Sequence, residues 1–235
     1  AAIADATRAR VLAVEADVSR ADQVAALVSQ VERELGPIDG LVCAAGILGP
    51  VGPFEELSID AWEATIQVNL FGTARVAHAV IPAMKRRGGG RIVFMSGGGQ
   101  GPLPRRTAYV TGKGAIWRLT ESLGAELAPA KIYVNAIAPG AVNTVILDDI
   151  LRAGPEKLGA KEYADAVKQR ETGGTPPAKA AELAAFLLSE RSAGLSGKIL
   201  SAVWDDYAGW TDLEGISRSD LYTMRRVTRP DGGTR

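Results

Sequence analysis

A doubly wound parallel α/β sheet is the fold class this sequence predicts, and three observations predict it. Short apolar runs alternate along the chain with longer segments of helical period, the pattern of strands joined by right-handed helical crossovers. Each run stops at glycine, an acid or a hydroxyl residue, as strands do where they deliver chain to a ligand-binding edge. With 235 residues, 46% of them hydrophobic, the chain can bury one large core. A single domain over residues 1–204 is expected, followed by a tail over 205–235 that would pack on the site or on a subunit interface.

The elements follow in order. Arg10-Val-Leu-Ala-Val-Glu-Ala-Asp17 reads as a buried strand ending at an acid. Ser19 is the expected N-cap of a helix carrying Val24, Leu27, Val28, Val31 and Leu35, stopped by Gly36-Pro37. Ile38–Cys43 is a second strand, running into Ala44-Ala45-Gly46, where small residues let backbone come close to another group. Residues 47–57 are a loop, and Ser58 would cap a long helix with the stripe Trp62, Ile66, Leu70, Ala77, Val80 and Met84, closed by Gly88-Gly89-Gly90. Arg91–Met95 is a third strand with Ser96 at its end, followed by Gly97, Gly98, Gly99 and Gly101. A helix through Ile116, Leu119, Leu123 and Leu127 leads to the strand Lys131–Ile137, which closes at Ala138-Pro139-Gly140. Residues 145–176 are short helical pieces broken by Gly154, Pro155, Gly159, Gly173 and Gly174, a composition suited to a mobile cover. A helix from about Ala178 to Ser189 precedes the last strand, Gly197–Val203. Beyond Trp204 an irregular tail is expected, with a basic end at Arg225, Arg226 and Arg229.

Composition excludes several classes of function. Lysine plus arginine number 27 and acids number 27, so no net charge argues for nucleic acid or an anionic membrane as partner. No apolar run reaches the roughly 18 residues a bilayer span needs, and the first residues lack the pattern of a signal peptide, so a cytoplasmic protein is expected. Cys43 is the only cysteine and His78 the only histidine. An intrachain disulfide is impossible, a cysteine/histidine zinc site is disfavoured, and histidine-based catalysis is nearly excluded.

The chemistry is concentrated in Thr-Ala-Tyr-Val-Thr-Gly-Lys, residues 107–113. Tyr109 and Lys113 stand four apart at the head of a helical pattern and share one face. The ammonium is therefore expected to stabilise a phenolate and draw the tyrosine pKa down, making Tyr109 an acid/base group. Ser96, at a strand end, is expected to face the cleft. Asn69, at the edge of a buried helix face, is a satisfied core amide or a helix irregularity on one reading, and on the other a break in the ladder that holds a water.

Taken together, Tyr109-x-x-x-Lys113, Ser96 thirteen residues before the tyrosine, and Asn69 in Val-Asn-Leu-Phe-Gly resemble the short-chain dehydrogenase/reductase family from Val11 to Val203. The resemblance implies a Rossmann-like fold and an oxidoreductase that moves hydride between NAD or NADP and an alcohol or carbonyl substrate. It implies Tyr109 as general acid/base, Lys113 as its electrostatic partner and ribose ligand, Ser96 as holder of the substrate oxygen, and Asn69 as holder of a relay water. It also assigns cofactor contacts to Asp17 and Val18, to Ala44, Ala45 and Gly46, to Tyr109 and Lys113, and to Pro139, Gly140 and Thr144, and it implies a homodimer or homotetramer.

The family's glycine-rich phosphate turn is not found before Val11, so an N-terminally incomplete domain is expected. Cys43 stands where the family turn has asparagine, and Gly97 competes with Ser96 for the serine slot. Two other readings stay open: a nucleotide-sugar epimerase or dehydratase of the extended branch, and a non-catalytic protein that kept the fold for binding or assembly.

Overall fold

Gly40–Cys43 (β1), Gly90–Met95 (β2), Ile132–Ala138 (β3) and Ile199–Ser201 (β4) pair side by side, all parallel, in that order. The computed structural model describes residues 7, 9–97 and 101–225; Gly98, Gly99, Arg226 and Arg229 lie outside them. Cys43 is in register with Phe94, Met95 with Ile137, and Ala138 with Ser201, which brings the carboxyl ends of the strands to one edge of the sheet.

Both faces of the sheet are covered, which is why β2 and β3 read as continuous apolar runs. On one face, Ile92, Phe94, Ile132 and Val134 meet Val80 and Met84 of the helix Thr73–Arg87 and Ile116 of the helix Thr107–Leu127. On the other, Val93, Ile137 and Leu200 meet Leu183 and Leu187 of the helix Pro177–Leu188. In chain order the helices are α1 (Ala21–Leu35), α2 (Ile59–Ile66), α3 (Thr73–Arg87), α4 (Thr107–Leu127), α5 (Val145–Leu158), α6 (Ala160–Thr172), α7 (Pro177–Leu188) and α8 (Leu213–Arg218). Gly154, at φ 77°, kinks α5 beside Pro155. None is long and apolar enough to cross a membrane.

Four expectations need correction. The run Val11–Val14 is not a strand: it is not paired into the sheet, and its side chains alternate between exposed and half-buried instead of being covered on both faces. β1 is hydrogen-bonded to β2 alone among the described residues, so the run has no ladder to join. Ser19 does not cap α1: Arg20 holds the N-cap position, and the Ser19 N–H donates to Asp17 Oδ1 at 2.8 Å. The long helix around Asn69 is not continuous, because a π-helical turn over Gln67–Gly72 separates α2 from α3. The tail is not wholly irregular: α8 starts at Asp212, whose carboxylate accepts from Gly215 N at 2.7 Å, and Trp210, Leu213, Ile216 and Tyr222 pack against the α7 face of the sheet. Ser58 does cap α2, accepting from Ala61 N at 3.3 Å.

Candidate active site at the carboxyl edge of the sheet

α4 begins at the carboxyl edge and carries Tyr109 and Lys113 on adjoining turns of one face. Further along that face Ile116 and Thr120 are fully buried, which presses the helix onto the sheet. Lys113 is 5% exposed, and its ammonium donates to the Met95 carbonyl at 2.8 Å, at the end of β2. Burial lowers its pKa to about 8, against the opposing pull of Cys43. The Cys43 thiol is pushed up to about 12 by burial, despite Lys113 beside it, so it is a packed, inert side chain.

The expected depression of the Tyr109 pKa by Lys113 is not what the geometry produces. Burial dominates and holds the phenol above its ordinary value; the cation that opposes this is Arg106. The Lys113 Nζ lies 6.0 Å from the centroid of the Tyr109 ring, with the Met95 carbonyl as its hydrogen-bond acceptor.

Asn69 is fully buried in the π-helical turn, and its amide clasps the loop after β1: Oδ1 accepts from Ile47 N and Nδ2 donates to Ile47 O, both at 2.8 Å. The side chain is thus a satisfied core amide, and the helix irregularity around it is real. The widened turn leaves backbone carbonyls out of the usual i to i−4 ladder; the Asn69 carbonyl accepts from Thr73 Oγ1 at 3.0 Å. Gly46 sits where these groups converge. A Cβ there would stand 3.2 Å from Asn69 Oδ1 and 3.3 Å from Lys113 Nζ, so the turn after β1 comes close to the ammonium.

Ser96 departs from expectation. It is 3% exposed, its hydroxyl donates to the Lys113 carbonyl at 3.2 Å, and it accepts from the Trp117 indole Nε1 at 2.5 Å. These bonds hold the side chain against α4. The neighbouring position meets Tyr109 instead: a Cβ on Gly97 would lie 2.9 Å from the Tyr109 hydroxyl. Trp117 and Arg106 were not singled out from sequence, although Trp117 is one turn beyond Lys113 and Arg106 three residues before Tyr109.

The remaining positions ring the same edge. Ala44 and Ala45 are exposed at the end of β1. Gly140, at φ 82°, turns the chain after β3, where a Cβ would meet Thr175 Oγ1 and Val203 at 2.7 Å each. Thr144 is exposed at the N-cap of α5, and its hydroxyl caps nothing there. Val18 packs on the π-helical turn, within 2.6 Å of where a Gly72 Cβ would be. The fully exposed Asp17 carboxylate is held below its usual range by hydrogen bonds from Ser19. The Gly46 turn, the exposed alanines and the uncommitted Thr144 hydroxyl leave this edge able to take a dinucleotide laid along it.

A parallel sheet whose strand ends gather a buried lysine, a tyrosine and glycine-lined turns defines a nucleotide-dependent α/β enzyme. The family model for short chain dehydrogenases matches residues 1–153. Oxidoreductase UcpA of Escherichia coli K12 is 40% identical over 194 residues, covering 80% of this chain and 72% of the relative. NAD+-bound xylitol dehydrogenase superposes with a TM-score of 0.69 at 30% identity, covering 79% of this chain and 75% of its own. Gluconate 5-dehydrogenase from Burkholderia cenocepacia, solved with NADP and tartrate, gives 0.68 at 31% identity over 79% and 71%. The chain belongs to the short-chain dehydrogenase family. It is an NAD(P)-dependent oxidoreductase of Rossmann-like fold.

Proposed function

We propose that Tyr109 exchanges the proton with the oxygen of a small-molecule alcohol or carbonyl in this chain's hydride transfer. The observation that carries the proposal is the placement of the Tyr109 hydroxyl beside Gly97 at the carboxyl edge, with Lys113 buried one turn behind it. The dinucleotide, when bound, supplies or accepts the hydride. The phenol, whose pKa burial holds above its ordinary value, donates to the developing alkoxide during reduction. Lys113 is its positive neighbour and, with the Met95 carbonyl fixing its direction, is placed to meet a ribose hydroxyl near Gly46. Asn69 orients the Ile47 loop and leaves π-turn backbone for a relay water. Ser96 positions Trp117 and the α4 backbone beneath Tyr109.

Asp17, Val18, Ala44, Ala45, Gly46, Pro139, Gly140 and Thr144 are assigned to cofactor contact. Residues 1–204 form the catalytic domain in this reading, with the packed part of 205–235 as its C-terminal cover. Exposed Phe54, Ile59 and Phe71 favour burial of the α2 side against a second copy, giving a homodimer or homotetramer in the cytoplasm. Titration of NADH and NADPH followed by nicotinamide fluorescence, with turnover of a panel of alcohols and ketones, tests the reading. Binding of a dinucleotide with turnover supports it; binding of neither overturns it.

A further inference from the structure

We propose that residues 219–225 form a strap that seals the outer edge of β4, locked there by Lys198, and so keeps a second copy of this chain from adding a strand to that edge. It concerns how copies meet and goes beyond the reaction assigned above.

β4 is the last strand of the sheet and pairs with β3 alone among the described strands. Along a strand, backbone groups point alternately to its two sides. The Lys198 carbonyl accepts from Ala136 N at 2.8 Å, and Ala202 N donates to the Ala138 carbonyl at 3.0 Å, so Ile199 and Ser201 turn their N–H groups outward. An outer edge of this kind is a template for another strand. Here both outward donors are taken within the chain. Ile199 N donates to the Tyr222 carbonyl at 2.9 Å, and Ser201 N donates to Asp205 Oδ2 at 2.7 Å.

The strap is held at three points. Lys198 is 1% exposed, and its ammonium donates to the carbonyls of Ser219 at 2.6 Å and Leu221 at 3.0 Å. No carboxylate lies within ion-pair distance of that ammonium among the described residues. Lifting the strap would therefore leave a buried charge without acceptors, a costly state. In the middle, Tyr222 has a left-handed backbone, φ 57°, as does Arg105 at 63°, and its ring packs on Trp210 with centroids 5.0 Å apart. Such a conformation persists in a non-glycine residue where neighbouring contacts over-determine it. At the far end, Met224 N donates to Glu121 Oε1 at 2.5 Å, Arg118 donates to the Met224 carbonyl at 3.2 Å, and Arg225 pairs with Glu121 at 3.1 Å. Arg118 and Glu121 belong to α4, so the strap runs from β4 to the catalytic helix and leaves no length of the edge free between them.

The test uses the full chain as wild type, Lys198→Met and Lys198→Met/Ile199→Pro, read by residue-resolved amide exchange and by mass from light scattering over a wide range of concentration. In wild type the Ile199 and Ser201 amides should exchange slowly. Lys198→Met is expected to quicken Ile199 exchange roughly 10- to 100-fold, the worth of hydrogen bonds from a charged donor, with Val93 and Phe94 at the sheet centre unchanged. It should also form species larger than any that wild type forms. Ile199→Pro removes the outward N–H without touching the bonds to β3, so the double variant should return to the wild-type mass. Fast Ile199 exchange in wild type, unchanged Ile199 exchange in Lys198→Met, an opened edge with unchanged mass, or large species that persist in the double variant overturns the proposal. Where Lys198→Met loosens Val93 and Phe94 as well, Glu121→Gln, which frees the far end of the strap on α4, takes its place and is judged by the same outcomes.

Discussion

The floor of the cleft and its cover are built differently. On the floor, Lys113 and Ser96 are nearly sealed, and each polar atom has a defined partner: Met95 carbonyl for the ammonium, Lys113 carbonyl and Trp117 indole for the hydroxyl. The cover, α5 and α6, buries only Leu147, Leu158 and Ala166. Its ion pairs are internal, Arg152–Asp149 within α5, Lys161–Asp165 within α6 and Arg170–Asp148 between them, while Arg105 reaches the α5 carbonyls from outside. With few buried side chains, the cover is expected to open at lower cost than the floor. A rigid proton-handling floor under a lightly fastened lid suits an enzyme that must admit and release both a dinucleotide and a substrate.

Substitutions separate the two regions. Tyr109→Phe removes the proton carrier and is expected to lower kcat roughly 10²- to 10⁴-fold; wild-type turnover in that variant contradicts the floor as described. Lys113→Met should lower kcat/KM about 10²-fold, the scale of one preorganised electrostatic group. It should also flatten a stability slope. Burial depresses the Lys113 pKa from 10.5 to about 8, so between these values the unfolded chain binds more protons than the folded one and stability rises with pH. Urea titrations at pH 8 and pH 10 should show that rise in wild type diminished in the variant.

Within the floor, Ser96→Ala is expected to cost about 1–3 kcal/mol of stability, because the buried Trp117 N–H and Lys113 carbonyl lose a partner. Gly97→Ala should spare stability and lower turnover, its methyl meeting the Tyr109 hydroxyl; chemical denaturation and initial rates read the contrast. The smallest effect belongs to the cover. Arg105→Gly relieves the left-handed strain but drops two hydrogen bonds to α5, so the global Tm should barely move while amide exchange in residues 145–172 quickens.

Most of the fold was legible because its strands are apolar on both faces and its helices keep a clear period. The Val11–Val14 run misled since apolar composition does not reveal whether a neighbouring strand is there to pair. α8 was missed because six residues carry too little period, and Gly215 within them looks like a breaker until the Asp212 cap is seen. Tyr109, Lys113 and Asn69 were singled out by their spacing together with Ser96 and the family resemblance, since the Tyr/Lys pair alone could have been chance. Whether Ser96 or Gly97 faces Tyr109 could not be read that way, because loop length between strand and helix decides which side of the pleat opens to the cleft. Spacing also could not show that Arg106, and not Lys113, is the cation opposing the burial of Tyr109.

Single-turnover oxidation of bound NADH or NADPH, measured side by side in Tyr109→Phe and Ser96→Ala, tests the account most directly. The account predicts that Tyr109→Phe falls by roughly two orders of magnitude or more while Ser96→Ala stays within about tenfold of wild type. The reverse order, with Ser96→Ala the crippled variant, would contradict the assignment of the substrate oxygen to Tyr109 beside Gly97.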